Sequence, residues 1–291
     1  MRRVLFALFA VATALTAAAG DAKIVFLAGP PSHGPGEHEH RAGCLLLKSC
    51  LDAVPGVSSS SEVYSNGWPQ NPGAAFAGAA TVVIYSDGGG GHPFLQADRL
   101  KTIGELMKQG VGLVCLHYAV EPTKEAGEKE FLDWIGGCFE TDWSVNPDWR
   151  PEFKPLPKHP STRGVKLFSL TDEWYFHMRF RDGMKGVLPI LSAVAPESTM
   201  RRSDGPHEGN PAVREAVKRG EPQIVAWACE RPDGGRGFGF TGGHYHKNWG
   251  NDDLRKLVLN AILWTAKVEV PAAGIQSKVT EEDLKRNLDR K

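Results

Sequence analysis

Four apolar, strand-like segments of this chain each run directly into a histidine. They cover residues 24–27, 82–85, 113–116 and 239–241. Between them, residues 37–53, 95–109 and 129–135 carry apolar side chains at helical spacing. This alternation predicts an α/β fold, in which a mostly parallel sheet has helices on both faces. The carboxyl ends of parallel strands share one rim, so we expect these histidines to meet there in a common site.

The alternation breaks in the middle of the chain. Residues 139–220 are rich in proline and tryptophan and contain short strand-like runs at 165–168 and 187–191. We interpret this region as an irregular or antiparallel insertion at one edge of the sheet. It then belongs to a single α/β domain that covers residues 21–268, because no linker-like sequence separates it from the rest.

The last third of the chain returns to regular patterns. Residues 223–229 and 237–241 flank a Pro-Asp-Gly-Gly turn, which predicts a hairpin. Residues 254–266 are strongly apolar and predict a helix. We expect residues 269–291 to form a charged tail that docks on the surface or frays, with a weak capping box beginning at Thr280.

The first 20 residues have the pattern of a signal peptide. Arg2 and Arg3 precede an apolar stretch at 4–15, and small residues at 17–19 resemble a cleavage site. An uncleaved membrane anchor is the alternative, but no stop-transfer segment follows. We therefore expect a secreted or periplasmic protein that does not remain at the membrane after cleavage.

The charge balance argues against binding to nucleic acid. The chain has 34 basic and 34 acidic residues, and cleavage would remove only two arginines from this balance. A nearly neutral protein has no long-range attraction for nucleic acid or for an anionic membrane.

The strongest local signal follows the last strand. His244, His246 and Asn248 come directly after two glycines that allow a tight turn. Residues two apart in an extended segment face opposite sides, so we expect at most one of the two histidines to point into the crevice. The alternative is a structural loop in which both histidines bond to backbone carbonyls.

The segment after the first strand contains further polar candidates. His33, Glu37 and His40 lie at the start of the first predicted helix, where free amide groups favour a polar ligand. On a helix, His38 and His40 would lie about 200° apart and could not share a metal. Glu37 and Arg41 could also be a simple surface ion pair.

His117 ends the fourth predicted strand. A hydrolase nucleophile at such a turn needs flanking glycines, and the residues around Cys115 and His117 lack them. Cys115 also falls two residues too early, inside an apolar run. We therefore expect His117, as a neutral base or hydrogen-bonding group, to be the functional residue.

Residues 171–180 place acidic, aromatic and basic side chains close together. In an extended segment, Glu173, Tyr175, His177 and Arg179 would share one face. Such a face suits a ligand with many hydroxyl groups, although a solvated strand face is the simpler alternative.

Several of these segments together resemble the ThuA-like family, named for trehalose utilisation. The resemblance runs from about residue 23 to 266 and rests on residues 115–117, 159–160, 172–175, 179–180, 243–244 and 260–264. It implies a class I glutamine amidotransferase-like fold, which is a three-layer sandwich with a flavodoxin-like sheet. It also implies a link to sugar catabolism, including disaccharides that partner dehydrogenases oxidise to 3-keto forms. Without a nucleophile turn, glutaminase activity is not expected.

The resulting hypothesis is an exported enzyme that cleaves or transforms a glycoside or 3-keto-glycoside, as a hydrolase or a lyase, by histidine acid/base chemistry. His117 or His244 would be the base and Glu173 the general acid or a hydroxyl-binding group. The predicted substrate-binding residues are His33, Glu37, His40, Tyr175, Arg179, His246 and Asn248. The cofactor is undetermined, and a divalent metal could be held by some of His33, His117 and His244. The alternatives are a non-catalytic carbohydrate-binding protein and a partner subunit of an exported sugar dehydrogenase.

Overall fold

The computed structural model describes residues 21–54 and 59–291, so the predicted signal peptide lies outside the described residues. The strands are β1 (Ala22–Ala28), β2 (Ser59–Tyr64), β3 (Ala79–Tyr85), β4 (Gly112–Leu116), β5 (Gly137–Cys138), β6 (Asp148–Trp149), β7 (Asp172–Glu173), β8 (Arg179–Phe180), β9 (Val187–Val194), β10 (Pro222–Glu230) and β11 (Arg236–Phe240). The α-helices are α1 (His40–Asp52), α2 (Pro72–Phe76), α3 (Arg99–Lys108), α4 (Glu128–Trp134), α5 (Pro211–Lys218), α6 (Asp252–Thr265) and α7 (Glu281–Lys285).

A seven-stranded sheet has the order β2-β1-β3-β4-β11-β10-β9. The first five strands of this order are parallel neighbours. β10 pairs antiparallel with both β11 and β9, which confirms the predicted hairpin. The parallel part has the 2-1-3-4-5 order of flavodoxin-like sheets. The expected α/β class with a mostly parallel sheet is therefore confirmed.

Two hydrophobic clusters cover the two faces of the sheet. Along β1, Phe26 belongs to one cluster and Leu27 to the other, because successive side chains of a strand point to opposite faces. The helices contribute Leu47 of α1 and Leu257 of α6 to the first cluster, and Ile103 of α3 and Phe131 of α4 to the second. Helices therefore lie on both faces and complete the expected three layers.

The middle region is only partly irregular. It contains the antiparallel pair of β6 with β7, and its strand β8 pairs antiparallel with β5, which lies just before the region. The strand predicted at 187–191 lies within β9, at the edge of the main sheet. The strand predicted at 165–168 is wrong, because this segment pairs with no strand. The Lys166 amide instead donates to the Asp253 carboxylate at 2.9 Å.

Two element boundaries differ from the predictions in a way that matters for the site. α1 begins at His40, three residues later than predicted, so residues 37–39 are not helical. β4 ends at Leu116, and His117 opens a 3₁₀ turn instead of continuing the strand. As a result, His38 lies outside the helix and His117 lies outside the strand.

The tail docks against the segment that precedes α1. The predicted capping box at Thr280 is present, with Asp283 as its partner. Beyond α7, the Asp289 amide donates to Glu39 at 2.7 Å, and the Lys291 ammonium lies 3.4 Å from the same carboxylate. Glu39 is buried, so the tail supplies hydrogen bonds that this carboxylate would otherwise lack.

All five cysteines are buried free thiols. Burial raises the pKa of Cys115, which makes this residue a poor nucleophile and agrees with the sequence interpretation. In the part of the chain that the structure describes, no helix is both long enough and apolar enough to cross a membrane.

Candidate metal centre at the carboxyl ends of the strands

Four side chains from distant parts of the chain meet at the rim of the sheet. His38 follows β1, His117 follows β4, Glu173 lies in β7 and His244 follows β11. One ligand atom from each lies within 4.8 Å of all the others. We call these four residues the histidine cluster.

The distances within the histidine cluster are short. The Nε2 atom of His38 lies 3.1 Å from Nε2 of His117 and 3.1 Å from Nδ1 of His244. The Oε2 atom of Glu173 lies 3.0 Å from Nδ1 of His244 and 3.5 Å from Nε2 of His117. Three imidazole nitrogens and one carboxylate oxygen therefore face a common point.

Left-handed backbone conformations direct two of the imidazoles inward. His38 has φ of 44° and His117 has φ of 55°. A residue other than glycine adopts this region at a cost of about 1–3 kcal/mol, and such residues are concentrated at functional sites. The His38 amide also donates to the His244 carbonyl at 3.0 Å, which ties two of the loops together.

Hydrogen bonds outside the cluster fix the orientation of two rings. Nδ1 of His117 donates to the Thr241 carbonyl at 2.8 Å, because a carbonyl can only accept. Nδ1 of His38 donates to Oδ1 of Asp87 at 2.6 Å. Both Nε2 atoms therefore turn a lone pair toward the cluster. A histidine that donates its other nitrogen to a carboxylate or carbonyl is the usual arrangement of a metal ligand.

The facing lone pairs provide a test of whether a cation fits. Two bare nitrogen lone pairs 3.1 Å apart repel each other unless a proton or a cation lies between them. With metal–nitrogen bonds of about 2.1 Å, ligand atoms at right angles are about 3.0 Å apart, and tetrahedral ones about 3.4 Å. The observed nitrogen distances of 3.1 Å are nearer to the right-angled arrangement. The ligand set of imidazole and carboxylate suits a divalent transition metal.

The ionisation of these groups also favours a cation. Burial lowers the pKa of His38 to about 2, so this imidazole is neutral. Burial alone would raise the pKa of Glu173, but the neighbouring His117 and His244 hold it well below its ordinary value. The pKa of His244 is raised. Burial alone would lower it, but the bond to Glu173 outweighs this effect. The cluster thus contains a carboxylate and at least one unprotonated imidazole.

Two further carboxylates support the cluster. Asp87 has a pKa of about 2, because its bond to His38 and the neighbouring His40 outweigh the effect of burial. Asp172 is fully buried and accepts from the amides of Gly243 and His244 at 2.8 and 3.0 Å. These bonds fix the loop that carries His244.

The structure places a different histidine among the candidate metal ligands. His38 takes the position that the sequence interpretation gave to His33, while His117 and His244 are in the cluster as predicted. The His33 side chain is 42% exposed and stacks on His38, with 3.6 Å between the ring centroids. Its Nδ1 atom lies 3.9 Å from Asp87. His33 therefore borders the cluster without belonging to it.

Tyr175 and Glu37 lie beside the cluster. The Tyr175 hydroxyl lies 3.2 Å from Nε2 of His117, and Glu37 lies 3.8 Å from the outer nitrogen of His244. Burial raises the pKa of Tyr175 well above its usual value, so its hydroxyl keeps its proton. Both residues are positioned to meet a ligand, and their predicted part in binding stays a prediction.

The other predicted residues are not among the four residues of the histidine cluster. His40 and His246 are buried, and their predicted part in substrate binding stays a prediction. His40 bonds to the Pro30 carbonyl at 3.0 Å. Asn248 donates to the Thr171 carbonyl at 3.0 Å, and the Arg179 guanidinium lies over the Trp143 ring at 3.6 Å while pairing with Glu140. The expected shared face of residues 173–179 is therefore not formed, because these residues are not one continuous strand.

Three residues of the site were missed by the sequence interpretation. His38 was set aside because a helix was expected there, and the helix in fact begins at His40. Asp87 carries the same signal as the histidines, since it follows the end of β3. Asp172 lies next to Glu173 and gives no separate signal that distinguishes it from a surface acid.

The fold and the site define this chain as a flavodoxin-like α/β protein with a histidine-rich centre at the carboxyl ends of its strands. The sequence model of the ThuA family, described as trehalose utilisation, matches residues 72–265. The chain belongs to the ThuA family, and the resemblance seen in the sequence is confirmed. The matched range includes three members of the cluster, while His38 lies before it.

Solved structures of ThuA-like proteins share the fold. One from Bacteroides uniformis is 16% identical with a TM-score of 0.56, over 87% of this chain and 94% of that chain. One from Parabacteroides merdae is 14% identical with a TM-score of 0.54, over 90% of this chain and 94% of that chain. A glutamine amidotransferase from Thermotoga maritima is 8% identical with a TM-score of 0.45, over 86% of this chain and 100% of that chain. None of the curated proteins matches the chain.

Proposed function

We propose that this protein is a metal-dependent enzyme of sugar utilisation that acts on an oxidised glycoside. The observation that carries the proposal is the convergence of three imidazole nitrogens and the Glu173 carboxylate on one point. The family description supplies the substrate class, because it concerns utilisation of a disaccharide. We therefore propose that the histidine cluster binds a divalent cation and that the sugar binds beside it.

The ligand set suits a reaction at a carbonyl group. A bound divalent metal would polarise a ketone oxygen and stabilise negative charge that develops there. A 3-keto group on a sugar also acidifies the proton on the neighbouring C2 carbon, so elimination of the glycosidic oxygen needs no strong nucleophile. This matches a chain whose Cys115 is buried and whose β4 turn carries a histidine in place of a nucleophile.

The metal-ligand role changes the parts first assigned to two histidines. The sequence interpretation treated His117 or His244 as the general base. In the structure, one nitrogen of each ring faces the common centre, together with one nitrogen of His38. A nitrogen that binds a metal cannot also accept a proton, so we assign His117 and His244 to metal binding. Glu173 becomes the fourth ligand instead of a general acid.

The proposal includes export. The first 20 residues have the composition of a signal peptide, as described above. An exported enzyme for 3-keto-glycosides needs a dehydrogenase that oxidises the sugar in the same compartment. Such a dehydrogenase is the expected functional partner, and the carbohydrate itself is the expected ligand.

Metal analysis combined with turnover tests the proposal. The protein without residues 1–20 is purified and its bound metals are measured. It is then incubated with 3-keto-trehalose in the presence and in the absence of a chelator. We expect about one transition-metal ion per chain and release of free sugar that chelation abolishes and metal restores. Binding of the sugar without release under any metal condition would instead identify a non-catalytic carbohydrate-binding protein. The same activity after complete metal removal would contradict the metal-dependent mechanism.

A further inference from the structure

A second acid–base pair lies beside the histidine cluster and takes no part in metal binding. Nε2 of His207 lies 2.9 Å from Oε1 of Glu121. Glu121 ends the 3₁₀ turn that begins at His117, so it is tied to the same loop as one of the ligands. His207 lies in the turn between Gly205 and Gly209, in the region that follows β9.

Aromatic contacts place this pair next to the cluster. The Tyr118 ring lies 6.0 Å from the His38 ring and 6.4 Å from the His207 ring. The Phe139 ring stacks on His207 at 5.1 Å and lies 5.4 Å from Tyr175. His207 is therefore one aromatic ring away from a metal ligand on one side and from Tyr175 on the other.

The pair has the geometry of a carboxylate that orients a base. Glu121 is 2% exposed, and its Oε2 atom is buried without a hydrogen-bond partner among the described residues. The imidazole of His207 is 29% exposed. Its Nδ1 atom has no hydrogen-bond partner in the described part of the chain, so it remains open to a ligand. A buried carboxylate bonded to one nitrogen of a histidine fixes the ring and stabilises its protonated form.

The loop that carries His207 is held in place by its backbone. The His207 carbonyl accepts from the Asn146 amide at 3.0 Å and from the Arg202 guanidinium at 3.2 Å. The Asn146 side chain in turn donates to Glu173 at 2.9 Å. The position of His207 is thus coupled to the position of a metal ligand.

We propose that His207, oriented by Glu121, is the catalytic base that removes the C2 proton of a 3-keto-glycoside bound at the histidine cluster. The inference rests on the proposed function. It also fills a gap in that function, because metal binding uses the lone pairs of all three imidazoles in the cluster. His207 is an imidazole beside the cluster whose outer nitrogen is free.

The proposed step balances without any further reactant. Nδ1 of neutral His207 takes the proton from C2, and the C2–H electron pair forms a double bond between C1 and C2. The bond from C1 to the glycosidic oxygen breaks, and that oxygen takes the proton from the His207 imidazolium. The aglycone leaves as an alcohol, the sugar leaves as an unsaturated ketone, and His207 is neutral again.

Variants of the holoenzyme test the assignment. Loss of a general base lowers kcat by about 10²–10⁴-fold, and we expect this for His207→Ala and, to a smaller extent, for Glu121→Gln. Metal content and KM should stay close to those of the parent protein. Glu215→Gln is the matched control, because it removes an exposed carboxylate of α5 and leaves the His207–Glu121 bond in place. Its kcat is expected to stay within about threefold of the parent value.

Chemical rescue and pH dependence separate a base from a structural residue. Free imidazole should raise the kcat of His207→Ala at least about tenfold, and it should not raise the kcat of His38→Ala. The charged and titratable groups facing His207 are Glu121, Glu208, Glu173, Tyr118 and Arg202. Because the bond to Glu121 raises the pKa of His207, Glu121→Gln should move the acidic limb of kcat/KM to lower pH.

The outcomes distinguish this inference from the function on which it rests. His207→Ala with the kcat of the parent protein would overturn the assignment and leave the proposed function intact. A loss of kcat that imidazole does not restore, together with an unshifted pH profile in Glu121→Gln, would also overturn it. If the metal-loaded parent protein itself converts no 3-keto-glycoside, the proposed function fails and this inference fails with it.

Discussion

At the scale of single residues, the decisive feature is a histidine held in an unfavourable conformation. His38 has a positive φ and is buried, yet its pKa is so low that it carries no charge. Such a residue stabilises the fold poorly by itself. Its cost of about 1–3 kcal/mol is compensated if the inward-facing nitrogen binds a cation. His117 shows the same combination of positive φ and complete burial.

The ligand set leads to a prediction that distinguishes two neighbouring histidines. His38→Ala removes a nitrogen that points into the cluster, so metal affinity should fall by more than about 100-fold. His33→Ala removes a ring that stacks on His38 from outside the cluster, so the protein should still bind about one ion per chain. Metal titration of both variants measures this. The reverse result would restore His33 as the ligand that the sequence interpretation chose.

Asp87 should affect the metal only indirectly. Asp87→Asn keeps the shape of the side chain and removes the charge that orients His38. A change in such an outer partner typically lowers metal affinity by about 10–100-fold. Competition with a chromophoric chelator measures the dissociation constant. An unchanged constant would show that the bond from His38 to Asp87 has no part in metal binding.

The pH dependence of metal binding follows from His244. Its raised pKa means that a proton occupies this imidazole at and above its ordinary titration range when no metal is bound. A metal must displace that proton, so its apparent affinity should weaken as the pH falls through the His244 pKa. We expect a loss of at least about tenfold between about pH 7.5 and about pH 5.5. Equal affinities at the two values would contradict a ligand role for His244.

How much of the site could be predicted differs from residue to residue. His117 and His244 were found because strand ends in a parallel sheet converge, whereas Glu173 was found because residues 171–180 gather acidic, aromatic and basic side chains. His38 was excluded because residues 37–39 read as the first turn of a helix. The helix begins later, at His40, and the His38 amide instead donates to the His244 carbonyl. That bond joins residues far apart in the sequence, so local propensity could not reveal it.

At the scale of elements, the carboxyl-terminal tail supports the segment that carries His38. Asp289 and Lys291 contact Glu39, while the Gly36 amide donates to the same carboxylate at 3.0 Å. The tail therefore packs against the segment of residues 36–39 through contacts with Glu39. The sequence predicted the capping box of α7 but not the docking position, since the contacts are made by one backbone amide and one lysine side chain, which give no sequence pattern.

Removal of residues 286–291 should loosen this loop without unfolding the protein. The buried Glu39 carboxylate would lose two of its partners, so amides 36–39 should exchange hydrogen faster in deuterium-exchange mass spectrometry. Metal affinity should fall several-fold because His38 lies in this segment. Lys285→Ala is a suitable control, as it alters the tail without touching Glu39. Unchanged exchange in the truncated chain would show that the loop is rigid by itself.

At the scale of the whole molecule, the fold was predictable because its signals are repeated. Strands β1, β3 and β4 are buried on both faces and are almost continuously apolar. The two hydrophobic clusters then require helices on each side. The middle region was less predictable. Its small strand pairs are two residues long, and the β6–β7 pair is flanked by the buried Trp149 and Trp174 instead of showing an alternating pattern.

The cluster joins loops that follow β1, β4 and β11 with β7 of the middle region, so metal binding should stabilise the whole domain. A ligand that binds only the folded state at about 100 times its dissociation constant adds about 2.7 kcal/mol. For a chain of this size, each kcal/mol raises Tm by about 2–4 °C. Differential scanning calorimetry should therefore show a Tm about 5–10 °C higher with metal than with chelator. His38→Ala should show almost no difference between the two conditions, because its folded state no longer gains binding energy. A rise in Tm of the same size in this variant would mean that the ion stabilises the protein from a different site.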